Sequence, residues 1–345
     1  MNAYAHTDHA QVISETKATA TGAFLCMEAD RAAVRVTGRD TLDLLNRLTT
    51  MKVDDLSVGS VRETLLTNEK GRVIDAALVA VPGADTPSGD TSGGDTSGAD
   101  VLLLLSPGMA EEVIAWLEKY TIMEDCVYED ISASLTQFSI YNIGAGAPGD
   151  VIPVPVAGSA AVFPLGESTV RVLHHRSVTG AGLRLLCAPE DARAVREYLV
   201  DHARIPLVGP EAFTLWRIDR LLPAVGHELS ALTNPLEAGA AAAVDFEKGC
   251  YIGQEVIARL DSYDKVQRRP CRIRRTSFTD EYPLPGSVLY AGEKNAGFVT
   301  TLASDPRTGN DIGIALVRHA FAGGGTELSL RSGGDARPFT VENTA

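Results

Sequence analysis

The chain has 345 residues, about 2.3 times an ordinary domain, so two or three domains are expected. With 45% apolar and 22% charged residues it has the composition of a globular protein, which excludes global disorder and collagen-like or coiled-coil chains. The 45 acidic residues outnumber the 31 basic ones and leave a net charge of -14, so long-range attraction to nucleic acid or anionic lipid is excluded outside a local basic patch.

The first twenty residues are polar, carry no apolar leader-like core, and predict a flexible tail. Order is expected to begin near Phe24. Ala33 to Val36 looks extended, Gly38 breaks it, and Leu42, Leu45 and Leu48 share one face of a short helix. Val61 to Thr67 and Arg72 to Val81 follow as strands joined by Asn68-Glu69-Lys70-Gly71, a hairpin-turn composition. Residues 82–100 repeat Asp-Thr-Ser-Gly without a large apolar residue, so they predict a mobile loop that enlarges a hairpin tip before the strand Val101 to Leu105.

Sliding the chain by 82 residues lays Leu102 to Pro107 over Arg184 to Pro189, and Ala110, Val113 and Leu117 over Ala192, Val195 and Leu199. Each copy is a buried strand, a proline and an amphipathic helix, so the fold class expected is α+β with two related subdomains, residues 21–135 and 136–267. Glu211 to Leu221 reads as a further helix ended by Pro223. From residue 268 onward, short strands set off by Pro, Gly, Asn and Asp predict a separate small β-barrel or sandwich over 268–345.

Five scattered cysteines, Cys26, Cys126, Cys187, Cys250 and Cys271, form no C-x-x-C pair, so neither a disulfide framework nor a zinc knuckle is indicated and a reducing cytoplasm is expected. No apolar run approaches the roughly 18 residues that span a bilayer, so no membrane partner is expected. Gly144 to Gly149 spells G-x-G-x-x-G, but its proline and the following Val151-Ile152-Pro153-Val154-Pro155 remove the helix start that would hold a pyrophosphate. His227-Glu228 lacks the second histidine of H-E-x-x-H, and the adjacent His174 and His175 would point to opposite faces of a strand. Lys265, Arg268, Arg269, Arg272, Arg274 and Arg275 form a basic run, which is either a charged strand edge or a site for an anionic ligand.

The densest chemistry lies in Lys248-Gly249-Cys250-Tyr251-Ile252-Gly253-Gln254-Glu255, an unsuitable core strand with an ammonium placed to favour the Cys250 thiolate. Gly249 and Gly253 permit tight turns, and Gln254 to Arg259 reads as the first turns of a helix with Glu255 against its N-terminal dipole. This segment, with Asn234-Pro235-Leu236-Glu237-Ala238-Gly239, Arg217-Ile218-Asp219, Val36-Thr37-Gly38-Arg39-Asp40 and Thr67 to Asp75, resembles the YgfZ family, folate-binding relatives of the glycine cleavage aminomethyltransferase.

The resemblance implies a ring of two α+β subdomains with a C-terminal barrel and a tetrahydrofolate channel. It implies that Cys250 and Lys248 are the functional pair, with Asn68, Asp75, Arg217, Tyr251, Gln254 and Glu255 as folate contacts. It also implies a role with iron-sulfur client proteins, including enzymes that modify tRNA; a lone cysteine cannot by itself hold a cluster. Two alternatives stay open. One is folate-dependent aminomethyl transfer, although the transferases carry an acid pair where this chain has Asp75-Ala76, another acid after the Thr-Gly that precedes Ala181, and one more where Arg184 stands. The other is an inert folate-gated scaffold with a structural Cys250.

Overall fold

The computed structural model describes residues 8–26, 31–83, 100–143, 152–166, 168–263, 265–275, 283–330 and 338–344. The chain divides into two compact units: Gly22–Leu207 with Ala242–Glu255, and Met1–Thr21 with Val208–Ala241 and Val256–Ala345.

The first unit holds β1 (Phe24–Cys26), β2 (Arg31–Thr37), β3 (Val61–Thr67), β4 (Val73–Ala80), β5 (Val101–Pro107), β6 (Val127–Asp130), β7 (Thr136–Tyr141), β8 (Ser159–Leu165), β9 (Ser168–His174), β10 (Ala181–Cys187) and β11 (Leu207–Val208), the last running one residue past its border. Their sheet orders are β3-β4-β5-β2-β6 and β11-β1-β7-β10-β9-β8. Replacing each strand of the first order by its counterpart five places later reproduces the second, with β1 inserted between β7 and β11. The internal repeat is therefore a repeat of topology.

Strand alternation explains the layering. Val101, Leu103 and Leu105 of β5 pack with Leu44, Leu45 and Leu48 of the helix Thr41–Leu48 and with Val113 and Leu117 of the helix Ala110–Tyr120. Leu102 and Leu104, one residue out of phase, meet Leu173 and Leu186 of the second sheet. A run of leucines buried on both faces is what a strand between two layers requires. The second sheet covers its outer face with Val195 and Leu199. The stack is helix, sheet, sheet, helix.

In the second unit β12 (Arg268–Arg275), β13 (Val288–Ala291), β14 (Lys294–Asp305), β15 (Asn310–Arg318), β16 (Glu327–Leu330) and β17 (Pro338–Thr344) close into a barrel in the order β12-β15-β14-β13-β16-β17. Phe339 and Val341 of β17 complete the barrel core. Without that strand the sheet would keep two open edges.

Two expectations about organisation are corrected. Residues 9–21 form a helix, His9–Thr21, packed against the helix Pro210–Asp219, where a loose tail was expected; Glu15 Oε2 accepts the Gly209 N–H at 2.9 Å. The border expected at residue 267 is also displaced, because residues 208–241 and 256–267 group with the barrel. The helix Pro210–Asp219 packs on β14 and β15. The expected mobile loop lies, from 84 to 99, outside the described residues, as does the G-x-G-x-x-G segment.

Candidate functional site

The Lys248 to Gly253 turn is built onto the first sheet and its helix. Asp245 Oδ1 accepts the backbone N–H groups of Glu247 and Lys248 at 2.9 and 3.1 Å, tightening the entry. Lys248 then turns inward and donates to the carbonyls of Asn46, Thr49 and Met51 at 2.7, 2.8 and 2.7 Å. These carbonyls lie at the C-terminal end of the helix Thr41–Leu48, where a cation is favoured. Burial pushes the ammonium down to about 8. All three of its hydrogens are thereby used, which corrects the expectation that Lys248 activates Cys250.

Tyr251 is also buried, its ring centroid 5.3 Å from the Lys248 Nζ, and burial raises its phenol to about 12. Ile252 N–H donates to Arg47 O at 3.0 Å and Thr67 Oγ1 donates to Ile252 O at 2.8 Å. Gly253, at φ +85°, lies so close to the β3–β4 turn that a Cβ there would stand 2.7 Å from Asn68 O. Between these anchors Cys250 is exposed, whereas Cys26, Cys187 and Cys271 are buried and Cys126 is half-buried. Burial pushes the thiols of Cys187 and Cys271 up to about 12 and about 11.

The other expected contacts divide. Asn68 shapes the hairpin turn, its Oδ1 accepting the N–H groups of Lys70 and Arg72 at 3.0 Å each. Gln254 and exposed Glu255 open the helix Gln254–Ser262. Asp75 is fully enclosed, accepting from Ala76 N–H at 2.8 Å and Ser106 N–H at 3.1 Å, and burial raises its carboxyl. Ala76 shares the alternation of Leu78 and Ala80 and so lies on the face turned to the second sheet.

Arg217 belongs to the barrel unit and is no free folate contact. Its guanidinium donates to Glu228 Oε2 at 2.6 Å, Leu222 O at 2.8 Å and Thr301 Oγ1 at 2.7 Å. Burial alone would raise Glu228, but Arg217 and the hydroxyls of Thr300 and Thr301 hold it below the ordinary carboxylate range. The anionic-ligand expectation for Lys265, Arg268, Arg269 and Arg272 is corrected in the same unit for Arg268 and Arg272. Arg268 meets Glu237, Arg272 meets Asp219 and Glu342, Arg274 meets Glu342, and Arg275 meets Asp311. Carboxylates therefore answer four of the six basic residues in that run, and Lys265 lies over the Tyr263 ring.

A second cluster, of which sequence reasoning named only Arg184, as a replaced acid, and His175, as one of two adjacent histidines, lies between the two sheets of the first unit. Glu63 accepts from Ser177 Oγ at 2.6 Å and Val178 N–H at 2.7 Å, tying β3 to the loop after β9. Burial raises Glu63, against the pull of those donors and of Arg184 and Arg31. Arg184 donates to Gln137 Oε1 at 3.1 Å, and Gln137 donates to Ala32 O at 3.2 Å. His175 is 4% exposed, and neither ring nitrogen has a hydrogen-bond partner. Burial, reinforced by Arg184 and Arg31, pushes it down to about 3, so its imidazole is neutral.

Each member of this cluster stands two residues from an apolar residue of the inter-sheet core: Arg31 from Ala33, Glu63 from Val61, Gln137 from Leu135, His175 from Leu173 and Arg184 from Leu186. Period-two alternation places Glu63 and Arg184 on the face of their apolar partners, and Arg31 and His175 act electrostatically within the same group, so the cluster is the polar end of that core. Charged residues on the inward face of apolar strands were the available signal.

Among the described residues no group of three or more His, Cys, Asp or Glu is placed to hold a metal, and no helix is long and apolar enough to cross a membrane. Residues 2–142 match the GCVT N-terminal domain. The aminomethyltransferase of Geobacillus kaustophilus is 30% identical over 329 residues, covering 92% of this chain and 85% of that protein. A putative chloroplastic transferase of Arabidopsis thaliana is 26% identical over 304 residues, 86% of this chain and 66% of that one. The crystal structure of the glycine cleavage aminomethyltransferase of Bartonella henselae superposes with a TM-score of 0.71 at 20% identity, over 96% of this chain and 88% of that one, which shows a shared fold. From the extent of these matches, the chain belongs to the aminomethyltransferase (GCVT) family.

Proposed function

We propose that this protein binds tetrahydrofolate and, as in the YgfZ branch that its octapeptide resembles, uses Cys250 in the maintenance of iron-sulfur enzymes of the cytoplasm, tRNA-modifying ones among them. The observation that carries the reading is the exposure of Cys250 on a turn whose neighbours Lys248 and Tyr251 are both driven inward. An unpaired surface thiol is suited to a transient sulfur contact with a partner, not to packing. The inter-sheet cluster of Glu63, Gln137, Arg184 and His175 is the polar group of the first unit that a folate heterocycle could meet, and the neutral His175 ring brings one donor and one acceptor to it. Bound tetrahydrofolate would supply nitrogens that carry a one-carbon unit.

Aminomethyl transfer to tetrahydrofolate is the second reading, and the names of the relatives favour it over the first. Against it stand two features of this chain. Asp75 has both carboxyl oxygens engaged by backbone N–H groups, and alanine occupies the neighbouring position on the inter-sheet face. Arg184 also stands where the transferases carry an acid, which leaves fewer groups to move a proton at a folate nitrogen.

The deciding experiment uses the full chain and Cys250→Ala. The expected result is unchanged tetrahydrofolate binding with loss of support for iron-sulfur enzyme activity in a strain lacking the protein. Full support by Cys250→Ala, together with tetrahydrofolate-dependent ammonia release from an aminomethyl-lipoyl carrier, would replace the first reading by the second.

A further inference from the structure

The arginines of β12 are answered unequally along the strand. Arg272, Arg274 and Arg275 each meet a carboxylate, at 3.2 Å from Asp219, 2.6 Å from Glu342 and 2.7 Å from Asp311. At the start of the strand that compensation stops. Arg268 stands 3.4 Å from Glu237, whose other oxygen accepts from Asn234. Among the described residues neither Arg269 nor Arg318 has an ion-pair partner, and the buried Nε of Arg269 has no hydrogen-bond acceptor. A buried guanidinium nitrogen left unpaired is costly and calls for a partner.

Strand register brings these groups together at one end of the barrel. Arg268 lies opposite Arg318 and Arg269 opposite Val317, and the ladder runs one step further, His319 N–H donating to Gln267 O at 3.2 Å. With strands about 4.8 Å apart and a rise of about 3.4 Å per residue, the backbone positions of Arg268, Arg269, Arg318 and His319 lie within roughly 9 Å of one another. Arg269 shares the face of Cys271 and Val317, and its charge pulls the Cys271 thiol down against the effect of burial. Arg318 and His319 are exposed. Like charges directly opposite each other on an antiparallel pair are destabilising. A chain with 45 acidic residues had carboxylates to spare for this place and set none beside Arg269 or Arg318, so the counter-charge is expected from outside the chain.

We propose that Arg269, Arg318 and His319, where β12 begins and β15 ends, form a binding site for a phosphate group, either inorganic phosphate or the phosphate ester of a small molecule. Charge decides the class. The guanidiniums of Arg268, Arg269 and Arg318, less the Glu237 carboxylate, leave two positive charges, which a phosphate dianion balances and a single carboxylate does not. Arginine forks on neighbouring positions of two strands approach from different directions, which suits the several oxygens of a tetrahedral group, and the imidazole adds a further N–H donor. The site lies wholly within the barrel unit and stands independently of the folate reading.

The test is isothermal titration calorimetry of the full chain at physiological salt with inorganic phosphate, glycerol 3-phosphate and succinate. Both phosphates should bind saturably at one site, the tighter of the two naming the source, and succinate should bind at least about tenfold more weakly. Arg269→Gln and Arg318→Gln should each weaken phosphate roughly 10–100-fold, the range for a lost hydrogen bond to a charged group. Arg272→Gln removes a guanidinium already held by Asp219 and Glu342 and should stay within about threefold of the wild type. Arg318→Glu should abolish phosphate binding while the melting temperature of the ligand-free protein holds or rises, because the opposition to Arg268 is relieved; a fall in that temperature would make Arg318 a structural residue and overturn its place in the site. Absence of phosphate binding by the wild type, equal affinity in Arg269→Gln, an equal loss in Arg272→Gln, or succinate bound as tightly as phosphate would each overturn the assignment and leave these residues a solvated strand edge.

Discussion

His175 and Lys248 are both buried and both pushed toward their neutral forms, yet their bonding is opposite. Lys248 is fully bonded, to the carbonyls of Asn46, Thr49 and Met51, and so fixes the turn that exposes Cys250. His175 is unbonded and its folded-state pKa lies at about 3, below the ordinary value of 6.5. Between those values the unfolded chain binds a proton that the folded chain does not, so this residue makes stability rise with pH and fall on acidification. Relative to His175→Gln, the wild type should lose about 1 kcal/mol between pH 7 and pH 5.5. Urea titrations of both proteins at the two pH values measure this, and a pH-independent difference would mean that the folded-state imidazole titrates normally.

At the scale of elements, the turn 248–253 and the β3–β4 hairpin hold each other. Gly253 has a left-handed φ of +85° with a carbonyl 2.7 Å from where a Cβ would stand, whereas Gly249 has open space around it. Gly253→Ala should therefore cost roughly 2–4 kcal/mol and accelerate labelling of Cys250 as the turn loosens. Gly249→Ala should stay within about 0.5 kcal/mol of wild type. Equal melting temperatures for the two variants would show that the hairpin and the turn are not coupled. The sequence made both glycines look alike, because two hinge glycines in one motif carry no record of which will be pressed against Asn68. The strands and helices were more legible: β5 and its copy β10 announce themselves by apolar runs followed by helical spacing. The N-terminal helix escaped notice because its buried positions include Thr16 and Thr19, which form no apolar stripe.

At the scale of the molecule, the barrel unit encloses the ion pairs Arg217–Glu228 and Arg275–Asp311. Arg217 and Glu228 are 2.6 Å apart, and Glu228 also receives the hydroxyls of Thr300 at 2.6 Å and Thr301 at 2.7 Å. Arg217→Met leaves Glu228 as an uncompensated buried charge and should cost roughly 3–5 kcal/mol, with Arg217→Met/Glu228→Gln recovering part of the loss. Thermal melts measure both. A loss of tetrahydrofolate affinity at unchanged stability would instead restore Arg217 to the binding role that its motif suggested. The sequence by itself determined the α+β class, the duplicated strand and helix units, most of the barrel strands, and the distinctive turn around Cys250. These are written in local periods of two and 3.6 residues and in short contiguous motifs. Only the tertiary structure decided that Arg217 faces Glu228, that Lys248 turns inward from Cys250, and that Arg31, Glu63, Gln137, His175 and Arg184 meet between two sheets. A strand's alternation states which face a side chain takes, but what that face meets is set by the packing of segments more than a hundred residues apart in the chain.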